Sequence, residues 1–214
     1  MKAIEKQFKQ ILLTTLFLYC VLPAIAQSGH NISTSDRKNF YQLLREANLK
    51  FTFPAGFKVL PPINNDYFSF DYDMEIPGDN FEMWLEVKSQ KQNWASYVHA
   101  QYDQRTQLAN PDSMYLDMGQ AMAIALTGNK NYQARNMPPE ILSRYNADAG
   151  KSYLLNLLDM PMTRHYKYAL IVSLQKNHTG TLVAIFFTND KDPDFYRNVN
   201  RAAHSFKFIA QTTN

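Results

Sequence analysis

Between Phe68 and Lys88 the chain reads FSFDYDMEI, then PGDN, then FEMWLEVK. Apolar residues fall on every second position, as Phe68, Phe70, Tyr72 and Met74 in the first run and Phe81, Met83, Leu85 and Val87 in the second. A period of two belongs to a strand with one face on a core, and Pro-Gly-Asp-Asn is turn chemistry. Pairing Ile76 with Phe81 sets Met74 opposite Met83 and Tyr72 opposite Leu85. Both apolar sets then share one face, whereas a slip of one residue would divide them. The stretch therefore predicts an antiparallel hairpin.

The rest of the chain supplies partners for it. From Ser35, a plausible N-cap, Phe40, Leu43, Leu44 and Ala47 lie on one helical face. "LKFTFPAGFKVLPP" gives two short strand-like halves around Pro54 and Gly56. "NWASYVHAQYDQRTQLA" and "PDSMYLDMGQAMAIALTGN" read as helices, the first with Trp94, Tyr97, Val98, Tyr102 and Arg105 on one side, the second ending near Gly128. "PPEIL" starts a short helical turn. Three apolar runs follow, "SYLLNLLDM", "HYKYALIVSLQ" and "TLVAIFFTN", the last two joined by the hairpin loop "KNHTG". Asp192-Pro193 has the cap chemistry of a helix carrying Phe195, Val199, Ala202 and Ala203 on one stripe, and "SFKFI" closes as a strand. Strands linked largely by hairpins, with helices packed on them, define an α+β domain with a largely antiparallel sheet.

The N-terminus speaks about compartment. Lys2, Lys6 and Lys9 precede the apolar run "ILLTTLFLYCVL", and Ala24-x-Ala26 has the small-residue pattern of signal cleavage. Residues 1–26 are read as a signal peptide, with 27–214 as one α+β domain whose first residues, 27–34, form a polar leader. The expected location is extracytoplasmic, periplasmic or secreted, after cleavage between Ala26 and Gln27. A lipoprotein signal at Cys20 is disfavoured by the bulky Tyr19 before it. Cys20 is the single cysteine, so cleavage would leave no disulfide, no thiol nucleophile and no thiolate metal site. Removing the signal's three Lys and one Glu from 22 basic and 19 acidic residues leaves 19 and 18, a net charge of +1. No basic run remains to support nucleic-acid binding, and no later stretch is apolar enough to span a membrane. Asn31 and Asn177 stand in N-x-[ST] sequons.

"FTFPAGFK", the central helices, the hairpin "YKYALIVSLQKNHTGTLVAIFFTN" and the ending "DFYRNVNRAAHSFKF" together resemble the Mog1/PsbP-like α/β/α sandwich. The phrase "NADAG" leading into a strand also resembles small uncharacterised secreted proteins of Bacteroidetes-type bacteria. The likeness spans most of the chain after residue 26, and its motifs reflect packing and turns. It implies a sandwich with a largely antiparallel central sheet and non-catalytic binding or accessory roles, and it carries no catalytic motif onto these residues.

The polar face of the hairpin holds the strongest chemical candidate. Asp66, Asp71, Asp73, Glu75, Asp79, Glu82 and Glu86 occur there without one Lys or Arg between the first and the last. The register sets Glu75 opposite Glu82, Asp71 opposite Glu86 and Asp73 opposite Trp84. Like charges directly opposite cost from a few tenths to about 1 kcal/mol per pair, so a cation is expected nearby, either Ca²⁺ or an Arg or Lys from another element. One reading is a solvated strand face, the usual meaning of a charge run. Another is a calcium site of Asp71, Asp73, Glu75 and Glu82, hard oxygen ligands in an extracytoplasmic chain. The spacing imitates an EF-hand, but Ile76 replaces the required Gly and Pro77 follows it. Trp84 is either exposed, forming a binding face with Asp73, Glu82 and Glu86, or covered by a helix as core.

Weaker signals each have a plainer meaning. Gly150-Lys151-Ser152 ends like a phosphate loop, yet the position of its first Gly is Tyr145, so Asp148 to Gly150 read as a turn entering a strand. Met114, Met118 and Met122 align on one helix, as soft metal ligands or as core packing. His99 and Asp103 form an i, i+4 pair. Ser152, His165 and Asp159 could be assembled into a triad, but no nucleophile elbow surrounds the serine. The expectation is a non-catalytic binding or accessory module with a protein or envelope component as partner and no resident cofactor. The alternative is a metal- or carboxylate-dependent hydrolase using Asp71, Asp73, Glu82 and Glu86.

Overall fold

The computed structural model describes residues 34–64, 68–102, 107–129 and 132–210. The signal segment, Cys20, Asn31, Asp66, Asp103 and Arg105 lie outside the described residues. Seven strands form one sheet in the order β2 (Lys58–Leu60), β3 (Tyr72–Glu75), β4 (Phe81–Ser89), β8 (Gly180–Thr188), β7 (Tyr168–Lys176), β6 (Ala149–Asn156), β5 (Gln133–Asn136). Every pairing is antiparallel. A separate ribbon pairs β1 (Leu49–Phe51) with β9 (Phe206–Phe208). Among the described residues five helices accompany them: α1 (Thr34–Glu46), α2 (Lys91–Gln101), α3 (Met114–Thr127), α4 (Pro139–Tyr145) and α5 (Pro193–Ala203). The chain is thus a mixed α+β domain with a large antiparallel sheet.

The hairpin has the predicted register, with Tyr72 opposite Leu85, Asp73 opposite Trp84, Met74 opposite Met83 and Glu75 opposite Glu82. Its first strand is shorter than the alternation implies. At Asp71 the chain bends, because the Asp71 carboxylate accepts the Val87 N–H (2.7 Å), the hydrogen bond a strand carbonyl would otherwise take. The bend changes faces. Tyr72 and Met74 enter one apolar cluster, while Phe68 and Phe70 enter the other.

Two clusters exist because both faces of the sheet are covered. Phe81, Met83, Leu85, Val87, Leu182, Ala184 and Phe186 pack under Phe40 and Leu44 of α1, Phe195, Ala202 and Ala203 of α5, and Tyr145 of α4. On the opposite face Trp84, Val183, Ile185, Phe187, Ile171 and Tyr153 pack under Ala123 and Leu126 of α3. β8 is consequently buried along its whole length, and its run "GTLVAIFFT" is almost continuously apolar. α3 sits so close to the sheet that a Cβ on Gly119 would lie 2.7 Å from the Tyr153 ring.

Local signals account for most element ends. Asp192 Oδ1 accepts the Phe195 N–H (2.8 Å) and starts α5 as expected. α3 stops at Gly128. Ser35 is not the cap of α1, since the helix already includes Thr34. α2 is a surface helix with no buried residue, and Tyr102, expected on its inner side, is 85% exposed. Trp94 ties it to the body, stacked on the ring of His178 at 3.6 Å and 20°, and Lys91 Nζ donates to Asn48 Oδ1 (3.3 Å). The closing strand β9 joins β1, and the polar edge strand β5, exposed throughout, has no apolar pattern to announce it.

Candidate functional site: a buried acid pair under Arg164

The acidic hairpin face points inward. Asp73, Glu82 and Trp84 have no exposed surface, which resolves the choice for Trp84 to the covered position, between Phe70 (4.8 Å) and Phe187 (4.3 Å). The cation that the like-charge pairs require arrives from 82 residues away, on the connection between β6 and β7. Arg164 Nη1 donates to Glu82 Oε2 (2.9 Å) and lies 3.9 Å from Glu75 Oε2, while its Nη2 lies 3.6 Å from Asp73 Oδ2. The other oxygen of Glu82, Oε1, accepts the indole N–H of Trp84 (2.5 Å). One half-exposed guanidinium thus lids two buried carboxyls.

The loop that delivers Arg164 has an unusual backbone. A 3-10 turn at Pro161–Thr163 is followed by Arg164 (φ 49°) and His165 (φ 60°), two successive side-chain-bearing residues in the left-handed region. Such conformations persist only where their surroundings hold them. Here Arg164 is held by the acids, His165 pairs through Nδ1 with the carboxylate of Asp159, and Tyr166 packs on Phe187 (5.7 Å).

Electrostatics follow from burial. Both oxygens of Asp73 lack a hydrogen-bond donor, a costly state for a buried carboxylate. Desolvation, then the neighbouring Glu82, pushes the Asp73 carboxyl far above the usual range. Glu82 is raised as well by burial, against the opposing hydrogen bond from Trp84 and the charge of Arg164. Two carboxyls this coupled titrate as a unit. The negative charge that this pair carries faces the Arg164 guanidinium. Burial and the same carboxylates also push up the Tyr166 hydroxyl.

The remaining predicted residues find separate partners. Glu75 Oε1 lies 3.7 Å from Lys58 Nζ, and Glu86 Oε1 lies 3.3 Å from Lys88 Nζ. Asp71 is engaged by Val87 N–H, as above. The four residues of the proposed calcium set therefore do not converge: Asp73, Glu75 and Glu82 surround a guanidinium, and Asp71 belongs to the bend. Among the described residues no group of three or more His, Cys, Asp or Glu is placed to hold a metal ion. The binding set is likewise divided, with Trp84, Glu82 and Asp73 interior and Glu86 at the partly covered margin.

Asp159 and His165 do meet, but Ser152 Oγ faces the Arg135 carbonyl (3.5 Å), so no triad forms. The phosphate-loop tail lies inside β6, which starts at Ala149, one residue into the expected turn. A Cβ on Gly150 would lie 2.9 Å from both Leu142 and Leu174, so this glycine lets α4 approach the sheet. Met118 and Met122 pack on the second cluster, and Met114 Sδ accepts from Gln90 Nε2 (2.8 Å). None of these side chains is turned toward a common ligand.

Three cavities lie apart from the acid pair. One, of about 190 Å³, lies between α1 and Pro62, Asn64 and Ser69 to Asp71; another, of about 300 Å³, runs beside α2 and the start of α3. The third, of about 260 Å³, is lined by Arg144, Tyr145, Asn200, Ala203, His204, Phe206 and Lys207. Sequence reasoning missed Arg164 and this last groove, because both are assembled from distant segments. The structure thus defines an α+β domain with an inward acid pair and outward grooves. Neither protein-family models nor curated proteins match this chain.

Proposed function

We propose that the chain is an extracytoplasmic, non-catalytic binding or accessory module of Mog1/PsbP-like sandwich architecture, exported by residues 1–26 and acting on a protein or envelope component. The observation that carries this reading is the position of Arg164. The acidic residues best suited to chemistry are closed off by its guanidinium and by Trp84. Neither Asp73 nor Glu82 has exposed surface. Helices on both faces of the sheet also favour a module that works through its outer surface. Affinity capture with the tagged chain from its native envelope tests this directly. A partner retained through washing supports the reading, and recovery no different from a tagged control removes it.

A carboxylate-dependent hydrolase is the second reading, favoured by one observation. Burial raises the carboxyls of both Asp73 and Glu82, which lie side by side on paired strands, and perturbed acid pairs are the material from which acid–base catalysts are made. Loss of a measured hydrolytic activity in Asp73→Asn would support it. Melting curves with EDTA, Ca²⁺ and Cu(I) address the metal-dependent version: no shift with any of them speaks against a tight metal site.

A further inference from the structure

The groove between α4, α5 and β9 combines features found together nowhere in the acid cluster. Its floor is apolar and aromatic: Tyr145 stacks on Phe206 (5.5 Å, 16°), with Ala203 beside them. Its rim is Arg144, Lys207, His204 and Asn200, all exposed, and no carboxylate lines it. Lys50 stands directly opposite Lys207 in the β1–β9 ribbon and adds a further positive charge. Arg164, Lys58, Lys88, Lys176 and Arg197 each sit within ion-pair distance of a carboxylate, whereas Arg144, Lys207 and Lys50 pair with none among the described residues.

Helix dipoles explain only part of this charge. α4 and α5 both end at the groove, and their last carbonyls carry roughly half a negative charge each, which Arg144 and His204 complement. Lys207 and Lys50 stand on strands and have no such helix end to serve. His204 is already oriented, because its Nδ1 lies 2.5 Å from the Asn200 carbonyl.

We propose that this groove is the docking site for an acidic segment of a protein partner, with one aromatic or apolar side chain seated on Tyr145 and Phe206 and flanking carboxylates on Arg144 and Lys207. The proposal rests on the binding-module reading. Size favours a peptide side chain over a whole small-molecule ligand, since about 260 Å³ falls below the ~300–1,000 Å³ usual for small-molecule sites. Charge complementarity selects an acidic sequence, as in other cationic clusters that read acidic motifs. The aromatic floor supplies the anchor that charge alone would lack.

The test titrates the full chain with three probes: fluorescent poly(Glu,Tyr), poly-Glu as the charge-only control, and phosphatidylglycerol vesicles as the membrane control. The copolymer should bind at least about tenfold more tightly than poly-Glu, the factor expected from burying one aromatic side chain. Arg144→Glu/Lys207→Glu should lose at least about tenfold in copolymer affinity. Arg37→Glu/Lys38→Glu, which makes the same change in net charge on exposed positions of α1, should lose little. Equal loss in both double variants, equal affinity for poly-Glu, or a preference for vesicles over the copolymer overturns the proposal. Hydrogen exchange on the unmodified chain needs no variant to fold: copolymer should protect residues 140–146 and 200–207, and protection confined elsewhere removes the groove. If Arg144→Glu/Lys207→Glu still captures an envelope partner in full, the groove falls while the binding module stands. If the unmodified chain captures no partner, the binding-module reading itself falls.

Discussion

At Arg164 one guanidinium serves three carboxylates, two of them without any exposed surface. At the groove under Arg144, cationic side chains face water with no carboxylate among them. The two regions lie on opposite faces of the sheet, one among the side chains of Trp84 and Phe187, the other over Tyr145 and Phe206. Charge in the first is part of what holds the molecule together, because a buried ion deprived of its partner has nothing to replace it. Charge in the second is screened and solvated, so the fold gains little from it. What it offers is free valence for another molecule.

Breaking the first region should cost most. Arg164→Met is expected to lose about 2–3 kcal/mol of stability at neutral pH, below the ~3–5 for a fully buried pair because the guanidinium is half-exposed. Urea unfolding checks it, and a change under 0.5 kcal/mol would show that the acids do not depend on their lid. Trp84→Phe keeps an aromatic ring but leaves Glu82 Oε1 without its donor, at an expected cost of about 1–2 kcal/mol by the same measurement.

Asp73→Asn separates proton from charge. The folded-state pKa of Asp73 lies above its unfolded value, so the folded chain binds more protons than the unfolded chain across that interval. Stability must then fall as pH rises from the ordinary Asp range through neutral. The Asn variant cannot ionise and should flatten this slope, gaining most relative to the parent toward the alkaline side. Parallel stability–pH curves for the two proteins would rule out a protonated Asp73. The smallest effect belongs to the other region: Arg144→Glu/Lys207→Glu should move stability by less than about 0.5 kcal/mol, since surface substitutions away from packed features rarely do more. A larger loss would mean that these cations support the fold after all.

Legibility in the sequence follows the same division. The hairpin register was readable because a period of two and a turn fix it locally, and the carboxylate pairs it created already demanded a cation. Which cation could not be read, since Arg164 is 82 residues from Glu82 and nothing in "PMTRHY" marks its target. The bend at Asp71 was hidden because a side chain replaces a main-chain acceptor there, and alternation continues through it unbroken. β5 was hidden for the opposite reason, being four exposed residues held only by their neighbour. The groove takes its walls from residues 144–145, 200, 203–204 and 206–207, each of which alone is an ordinary helix or strand end.

The ribbon of β1 and β9 has a consequence of timing. Phe51 pairs with Phe206, Thr52 N–H donates to the Ser205 carbonyl (2.7 Å), and Ile209 N–H donates to Asn48 (2.8 Å). The strand that follows the first helix therefore waits for a partner made more than 150 residues later. Until that partner is in place, β1 lacks its strand pairing and is held by side-chain contacts such as those of Phe51 with Phe40 (5.4 Å) and Tyr72 (5.5 Å). Ribbon closure is thus a pairing of large sequence separation, the kind of contact that topology makes slow to form.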